Sequence, residues 1–319
     1  MTAQPASKLH LTGLLGSGFS FVSRVLFTHT ELPFLLVFNN KEEAVYFLFV
    51  MEQLVGEKDV LFYPASFRRP YQIEETDNAN VLLRAEVLNR INSRKKPAVI
   101  VTYPEALFEK VVTRKELDKN TLKVAVNDKI SIDFINEVLF EYEFKRVDFI
   151  TEPGEFSVRG GIVDVFSFSN DNPYRIEFFG NEVESIRTFD VATQLSIETK
   201  KKITIIPNVE NSFFQENRES FLDYISPQTV IFIQNTELLL ADLDKHFGKA
   251  EEAFAKLSQE IKRATPEQLF LNQASFIKRA LDFSVVEWGS KAVFKTLKTF
   301  PFHFQPQPSF NKQFDLLLN

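Results

Sequence analysis

Glu152-Pro153-Gly154-Glu155-Phe156-Ser157-Val158-Arg159-Gly160-Gly161-Ile162-Val163-Asp164-Val165-Phe166, followed by Pro173-Tyr174-Arg175-Ile176-Glu177-Phe178-Phe179-Gly180-Asn181, is the most sharply patterned part of this 319-residue sequence. Aromatic and β-branched residues recur in short runs, and glycines or prolines break each run, which is the mark of strands joined by tight turns. Gly180-Asn181 separates two such runs by two residues and predicts a hairpin. The same texture extends over residues 147–207. Only ten glycines are present, and seven of them fall here or in a second window at Gly13, Gly16 and Gly18. Clusters of so scarce a residue mark places where the backbone does what a Cβ forbids.

Outward from this β-rich stretch the pattern changes. Apolar runs at 33–38, 60–63 and 98–102 alternate with helical periodicity at 19–28, 42–55 and 80–93. A further helix is expected over 131–144, then, beyond residue 207, a strand at 230–233 and a helix at 236–262. The Pro- and Phe-rich stretch 300–310 has no helical period and reads as a crossover or linker. Strands alternating with helices indicate a parallel sheet covered on both faces. The expected organisation is α/β over 1–128, a small α+β insertion rich in antiparallel strands over 129–207, and α/β again over 208–319. Hydrophobic residues make up 44% and charged residues 25%, which suits a folded chain. The absence of cysteine excludes disulfides and thiolate metal sites, and the four scattered histidines argue against a zinc centre. A net charge of −6 argues against binding nucleic acid through the overall field. The longest apolar run, 44–51, is too short to span a bilayer, and the glycines, threonine and serines within 11–22 interrupt a signal-peptide reading. A cytoplasmic location is expected.

Gly13-Leu14-Leu15-Gly16-Ser17-Gly18-Phe19-Ser20 matches the phosphate-loop spacing G-x-x-x-x-G-K-[ST] at every position but one. Phe19 stands where the lysine should be. A phenyl ring supplies no charge and is expected to occupy the space near the phosphates. The plain alternative is a tight strand-to-helix turn.

The stretch 152–166, with its continuation through Ser185-Ile186-Arg187-Thr188-Phe189-Asp190, Thr193-Gln194 and Ser196-Ile197, resembles a module shared by the excision-repair protein UvrB and the transcription-repair coupling factors. The resemblance is clear over 147–207 and weaker but collinear elsewhere. It implies that the flanking segments are two halves of a degenerate RecA-like, P-loop NTPase-like region. The family's Asp-Glu pair for magnesium and water follows a strand matched by 223–235, and here that pair is Gln234-Asn235. Neutral amides cannot replace carboxylates as magnesium ligands or as a base. Residues 63–80 are too few to hold UvrB's DNA-clamping hairpin. These departures favour the coupling-factor family, with a divergent UvrB-like ATPase as the alternative. The resemblance implies a chain with no enzymatic activity or cofactor of its own, which recruits UvrA to RNA polymerase stalled at DNA lesions. Polymerase binding, DNA translocation, ATP and magnesium belong to regions further along the family's chain.

Read without the family, the strand at 174–179 places Tyr174, Ile176 and Phe178 on one face and Arg175, Glu177 and Phe179 on the other. The first set suits a core. The second mixes charge with a large aromatic, which is interface composition, or else Arg175 simply pairs with Glu177 or Asp164. The Gly160-Gly161 pair is suited to re-aiming Arg159 through a bulge. The family's UvrA-contacting positions are matched here by Arg159, Arg175 and Phe179, which are therefore expected to be exposed on one patch. Glu155 and Arg187 read as turn and cross-strand partners. Eleven acidic and eight basic residues between 143 and 202 exclude a basic DNA-binding face.

Overall fold

The computed structural model describes residues 6–66, 71, 78–93, 96–115, 121–168, 170, 172–206, 217–256, 264–295 and 297–305. The chain opens with β1 (Lys8–Thr12), α1 (Gly18–Thr30), β2 (Phe34–Val37), α2 (Lys41–Val55), β3 (Val60–Phe62), α3 (Asn78–Ser93), β4 (Val99–Thr102), α4 (Pro104–Phe108) and β5 (Val111–Val112). It continues with β6 (Leu122–Ala125), α5 (Ile132–Glu141), β7 (Lys145–Arg146), β8 (Glu155–Arg159), β9 (Ile162–Val165), β10 (Tyr174–Phe179), β11 (Glu182–Phe189), β12 (Ser196–Lys200) and β13 (Lys202–Ile205). The last elements are β14 (Arg218–Glu219), α6 (Phe221–Tyr224), β15 (Val230–Ile233), α7 (Thr236–Lys256), α8 (Pro266–Leu269), α9 (Gln273–Ala280), β16 (Ser284–Trp288) and β17 (Lys298–Pro301).

Seven of these strands form one sheet in the order β17-β1-β16-β15-β2-β4-β3, and every neighbouring pair is parallel. The runs Phe34–Val37 and Val99–Thr102 are buried throughout, as expected of strands covered on both faces. Helices begin and end on local signals. Asn40 caps α2 by accepting from the Glu43 amide at 2.9 Å, and Gly56, at φ 110°, follows its last residue.

Three strands of this sheet escape the sequence reading. No strand is expected over Lys8–Thr12, yet it forms β1, set between β16 and β17. Polar Lys8 and His10 hide its pattern. Lys8 is buried because its Nζ donates to the carbonyls of Ala280 and Leu281, at 3.0 and 3.2 Å, and to that of Phe283, at the end of α9. Residues 300–310 were read as a linker. Phe300 and Pro301 instead belong to β17, the edge strand beside β1, and 306–310 lie outside the described residues. The third, β16, lies between β1 and β15.

The sheet's core is built largely from rings. Phe19 is stacked on Trp288 with centroids 3.7 Å apart and meets Phe38, Phe47 and Phe232 edge-on at 5.9–6.1 Å. It is 2% exposed. The ring is thus part of the sheet's core.

A six-stranded sheet, β12-β11-β10-β9-β8-β7, stands apart from the parallel one in topology. One face carries Phe156, Val163, Val165, Ile176, Phe178 and Ile186, packed in one cluster with Ile135 and Leu139 of α5. Ala85 of α3 joins the same cluster. The β6 strand pairs with β13, so residues 122–125 associate with a segment expected to begin only at 129. The expected hairpin is present, with Gly180 at φ 62°. Among the described residues no helix is long and apolar enough to cross a membrane.

Phe19→Ala is expected to destabilise the chain by about 3–5 kcal/mol, the usual cost of emptying a buried aromatic site. Phe19→Lys should cost at least as much, because it sets an ammonium among rings with no acceptor. Denaturant unfolding monitored by Trp288 fluorescence reads both, and an unchanged midpoint for either variant would contradict this packing.

Candidate functional site

The first candidate is the turn between β1 and α1. Gly13 and Gly16 take positive φ values of 74° and 53°, as the expected glycine turn requires. The neighbourhood of Gly13 and Gly18 is filled by the chain itself. A Cβ on Gly13 would lie 1.9 Å from the Phe302 carbonyl oxygen, and one on Gly18 would lie 2.8 Å from the Phe304 ring. The Phe302 amide donates to the Thr12 carbonyl at 2.8 Å, which seats this segment beside the turn. First-turn amides of α1 are also engaged locally: Gly18 N donates to the Leu15 carbonyl and Ser20 N to the Ser17 carbonyl, both at 3.0 Å. Ser20 is fully buried, and its hydroxyl has no hydrogen-bond partner among the described residues.

Gln234 and Asn235 close β15 and lead into α7. Gln234 Oε1 accepts from the Asn39 amide at 3.3 Å, and Asn235 Oδ1 accepts from the Leu238 amide at 3.1 Å, the geometry of a helix N-cap. A buried carboxylate does stand at this end of the sheet, and the sequence reading passed over it. Glu287, paired in register with Ile233, accepts from Thr236 Oγ1 at 2.5 Å and from the amides of Val293 and Phe294 at 2.9 and 3.1 Å. Those bonds engage both oxygens inside the fold. No cluster of three or more His, Asp or Glu able to hold a metal occurs among the described residues.

The third candidate is the face of the six-stranded sheet opposite its core. Pairing registers place Ser157, Asp164, Arg175, Arg187 and Thr199 in one row across five strands. Asp164, only 1% exposed, accepts from Arg175 Nε and Nη2 at 2.7 and 2.8 Å and from Arg159 Nη2 at 2.5 Å. Glu177 takes an ion pair from Arg187 and a hydrogen bond from Ser185 Oγ at 2.6 Å. Arg175 also donates to Gln194 Oε1 at 3.2 Å and lies 4.2 Å from the centroid of buried Phe189. Its hydrogen bonds to Asp164 hold the guanidinium even further toward its protonated form. Asp190 fixes the turn that carries Gln194: it accepts from Thr193 N and Oγ1, both at 2.8 Å, and those bonds lower its pKa.

Burial along β10 alternates as the sequence predicts up to Phe178, and Phe179 emerges 81% exposed. Arg159, on β8, keeps 41% of its side chain exposed, with its guanidinium 5.1 Å from the exposed Phe149 ring. Arg175 departs from the expectation of substantial exposure. Its side chain is 15% exposed, because Asp164 and Phe189 draw it down onto the sheet. Arg159 and Arg175 are brought together on one carboxylate, and Phe179 lies two residues beyond Glu177, whose register partner Ile162 faces Arg159. Phe149 and Gln194 were not singled out from sequence. Glu155 is a turn residue, its Oε2 accepting from the amides of Thr151 and Glu152 at 2.8 and 3.2 Å.

Ile176→Ala is expected to cost about 2–5 kcal/mol through a core cavity. Phe179→Ala should stay within about 0.5 kcal/mol of the parent, since its ring packs on little. Paired thermal melts test this, and equal melting shifts for the two variants would refute the assignment of faces.

A family model described as the UvrB interaction domain matches residues 122–210, the segment that begins with β6 and contains the row just described. The transcription-repair-coupling factor of Bacillus subtilis (strain 168) is 33% identical over 201 residues, 63% of this chain and 17% of that protein. Its counterpart in Rickettsia bellii is 30% identical over 61% of this chain and 17% of the relative. That of Myxococcus xanthus is 31% identical over 50% of this chain and 13% of the relative. This chain thus matches about a sixth or less of the length of these relatives. Together the matches make residues 122–210 similar to the UvrB interaction domain, within a chain similar to the transcription-repair-coupling factors.

Proposed function

We propose that this chain is a non-catalytic docking segment that recruits UvrA during transcription-coupled repair. The observation that carries the reading is the outer face of the six-stranded sheet. Within the matched UvrB interaction domain it presents Arg159 and Phe179 to solvent over a buried carboxylate, while the opposite face is closed by α5. Arginine and aromatic side chains around a desolvated centre are the composition of interaction hot spots. Arg159, Arg175 and Phe179 are the residues assigned to UvrA binding.

The parallel sheet is the degenerate partner of this module. In this reading the flanking segments, 1–128 and 208–319, are the two halves of one RecA-like unit, and the module over 129–207 is inserted between them. Three features support a unit without nucleotide chemistry. Phe19 is buried against Trp288, Gly13 and Gly18 pack against residues 302–304, and Asn235 caps a helix. A phosphate loop depends on its lysine for charge neutralisation. ATP, magnesium, DNA and RNA polymerase are engaged, in this reading, by other regions of the longer coupling factors.

Calorimetric titration with Mg-ATP should give no heat of binding, and micromolar affinity or turnover would favour a divergent UvrB-like ATPase instead. A pull-down with UvrA of the same organism should retain the parent chain and lose the Arg159, Arg175 and Phe179 triple-alanine variant. Undiminished capture of a well-folded triple variant would overturn the site assignment.

A further inference from the structure

The two arginines on Asp164 are engaged unequally. Arg175 uses Nε and Nη2 on the carboxylate, adds Gln194, and lies against Phe189. Arg159 reaches the same carboxylate through Nη2 alone, and among the described residues its Nε and Nη1 have no protein acceptor. Its guanidinium also stands beside Phe149, which is 65% exposed. Arg159 and Phe149 share an open cleft of about 430 Å³ with Arg146, Asp148 and Ser157. That volume accommodates a side chain from another protein, and two cations against one anion line it.

Two guanidinium groups this close repel unless a carboxylate stands between them. Asp164 fills that role from the middle of β9, where pairing on both sides prevents it from moving away. Arg175 occupies two of the carboxylate's roughly four acceptor directions, and Arg159 takes one of those that remain. The bond between them fixes a long side chain that would otherwise sample many rotamers, so the entropy of ordering it is lost on folding and not on docking. A half-exposed guanidinium beside an exposed ring is arranged for a charge-assisted hydrogen bond from which the ring excludes water.

Building on the docking function proposed above, we infer that Asp164 and Arg175 are positioning residues that hold Arg159 in place, and that Arg159 with Phe149 receives a carboxylate of the docking partner. Phe179 then supplies the apolar contact, and Arg175 acts through Asp164 rather than on the partner. This differs from three equivalent contacts, because it couples Arg175 to Arg159 and adds Phe149 to the surface.

The test measures affinity for UvrA by interferometry at low and moderate salt, with a thermal melt of every variant. Asp164→Asn and Arg175→Ala should each weaken binding about tenfold, and the double variant no further than the singles. Phe149→Ala should weaken binding several-fold, and Arg159→Ala should flatten its salt dependence. Additive losses for Arg175→Ala and Asp164→Asn would make Arg175 a direct contact and overturn the inference. Loss of binding in Phe179→Ala alongside parent-like Asp164→Asn and Phe149→Ala would overturn it while leaving the docking function intact. Parent-like binding by Phe179→Ala and Arg159→Ala together would overturn the assignment of this face, and failure of the parent chain to bind UvrA would sink the docking function itself. Should Asp164→Asn fail to fold, the exposed positions decide: parent-like affinity in Phe149→Ala with an unchanged salt response in Arg159→Ala overturns the inference.

Discussion

The stack of Phe19 on Trp288 is the contact on which the parallel sheet most depends. It joins the first turn of α1 to the last residue of β16, across 269 positions of sequence. The strand before α1 has β16 and β17 as its only neighbours in the sheet, so β1 gains its ladder only when the end of the described chain returns. Parallel pairing of this kind needs crossovers and is non-local by construction. Between β4 and β15 the described residues add no strand to this sheet, and the β-rich module occupies that excursion.

The same aromatic contact accounts for a phenylalanine at the position where a phosphate-loop spacing calls for lysine. Gly13 and Gly18 retain a reason to be glycine, because the carbonyl of Phe302 and the ring of Phe304 approach where a Cβ would stand. Close approach of a backbone to phosphate and close approach of a backbone to its own chain impose one steric demand. Position 19 separates the two cases. A lysine there serves an anion, whereas a phenyl ring with four aromatic neighbours serves the core.

Elements with a strong period were legible in the sequence. The fully apolar runs of β2, β4 and β15 and the helices α1 and α2 lie close to where the pattern puts them. The strands that were missed share a physical reason. In β1, Lys8 is buried through bonds to three carbonyls that no local pattern announces. In β17, Phe300 and Pro301 sit on an exposed edge, where proline is tolerated because one side of the strand needs no donor. At the proposed docking face the residue types were legible, but the pairing was not. Arg175 had two carboxylates within reach on paper, and only the registers of β8, β9 and β10 place Asp164 between Arg159 and Arg175. The low exposure of Arg175 follows from that register and from Phe189, fourteen residues away at the end of the next strand but one rung from Tyr174.

A sheet face built this way resolves a conflict that any docking surface meets. An apolar face would bind well but would also associate with copies of itself whenever the partner is absent. Here the centre is a carboxylate that is 1% exposed, and an isolated charge at that depth would be strongly unfavourable. Two arginines and their hydrogen bonds compensate that charge, so Asp164 has its partners inside the fold. Exposed apolar groups around it are Phe179 at a strand end, Phe149 beside Arg159, and Leu195 and Ile197 at the start of β12. Scattered apolar side chains of this kind are tolerated on folded surfaces, and the rings and Arg159 are the aromatic and cationic groups that a partner would desolvate on contact.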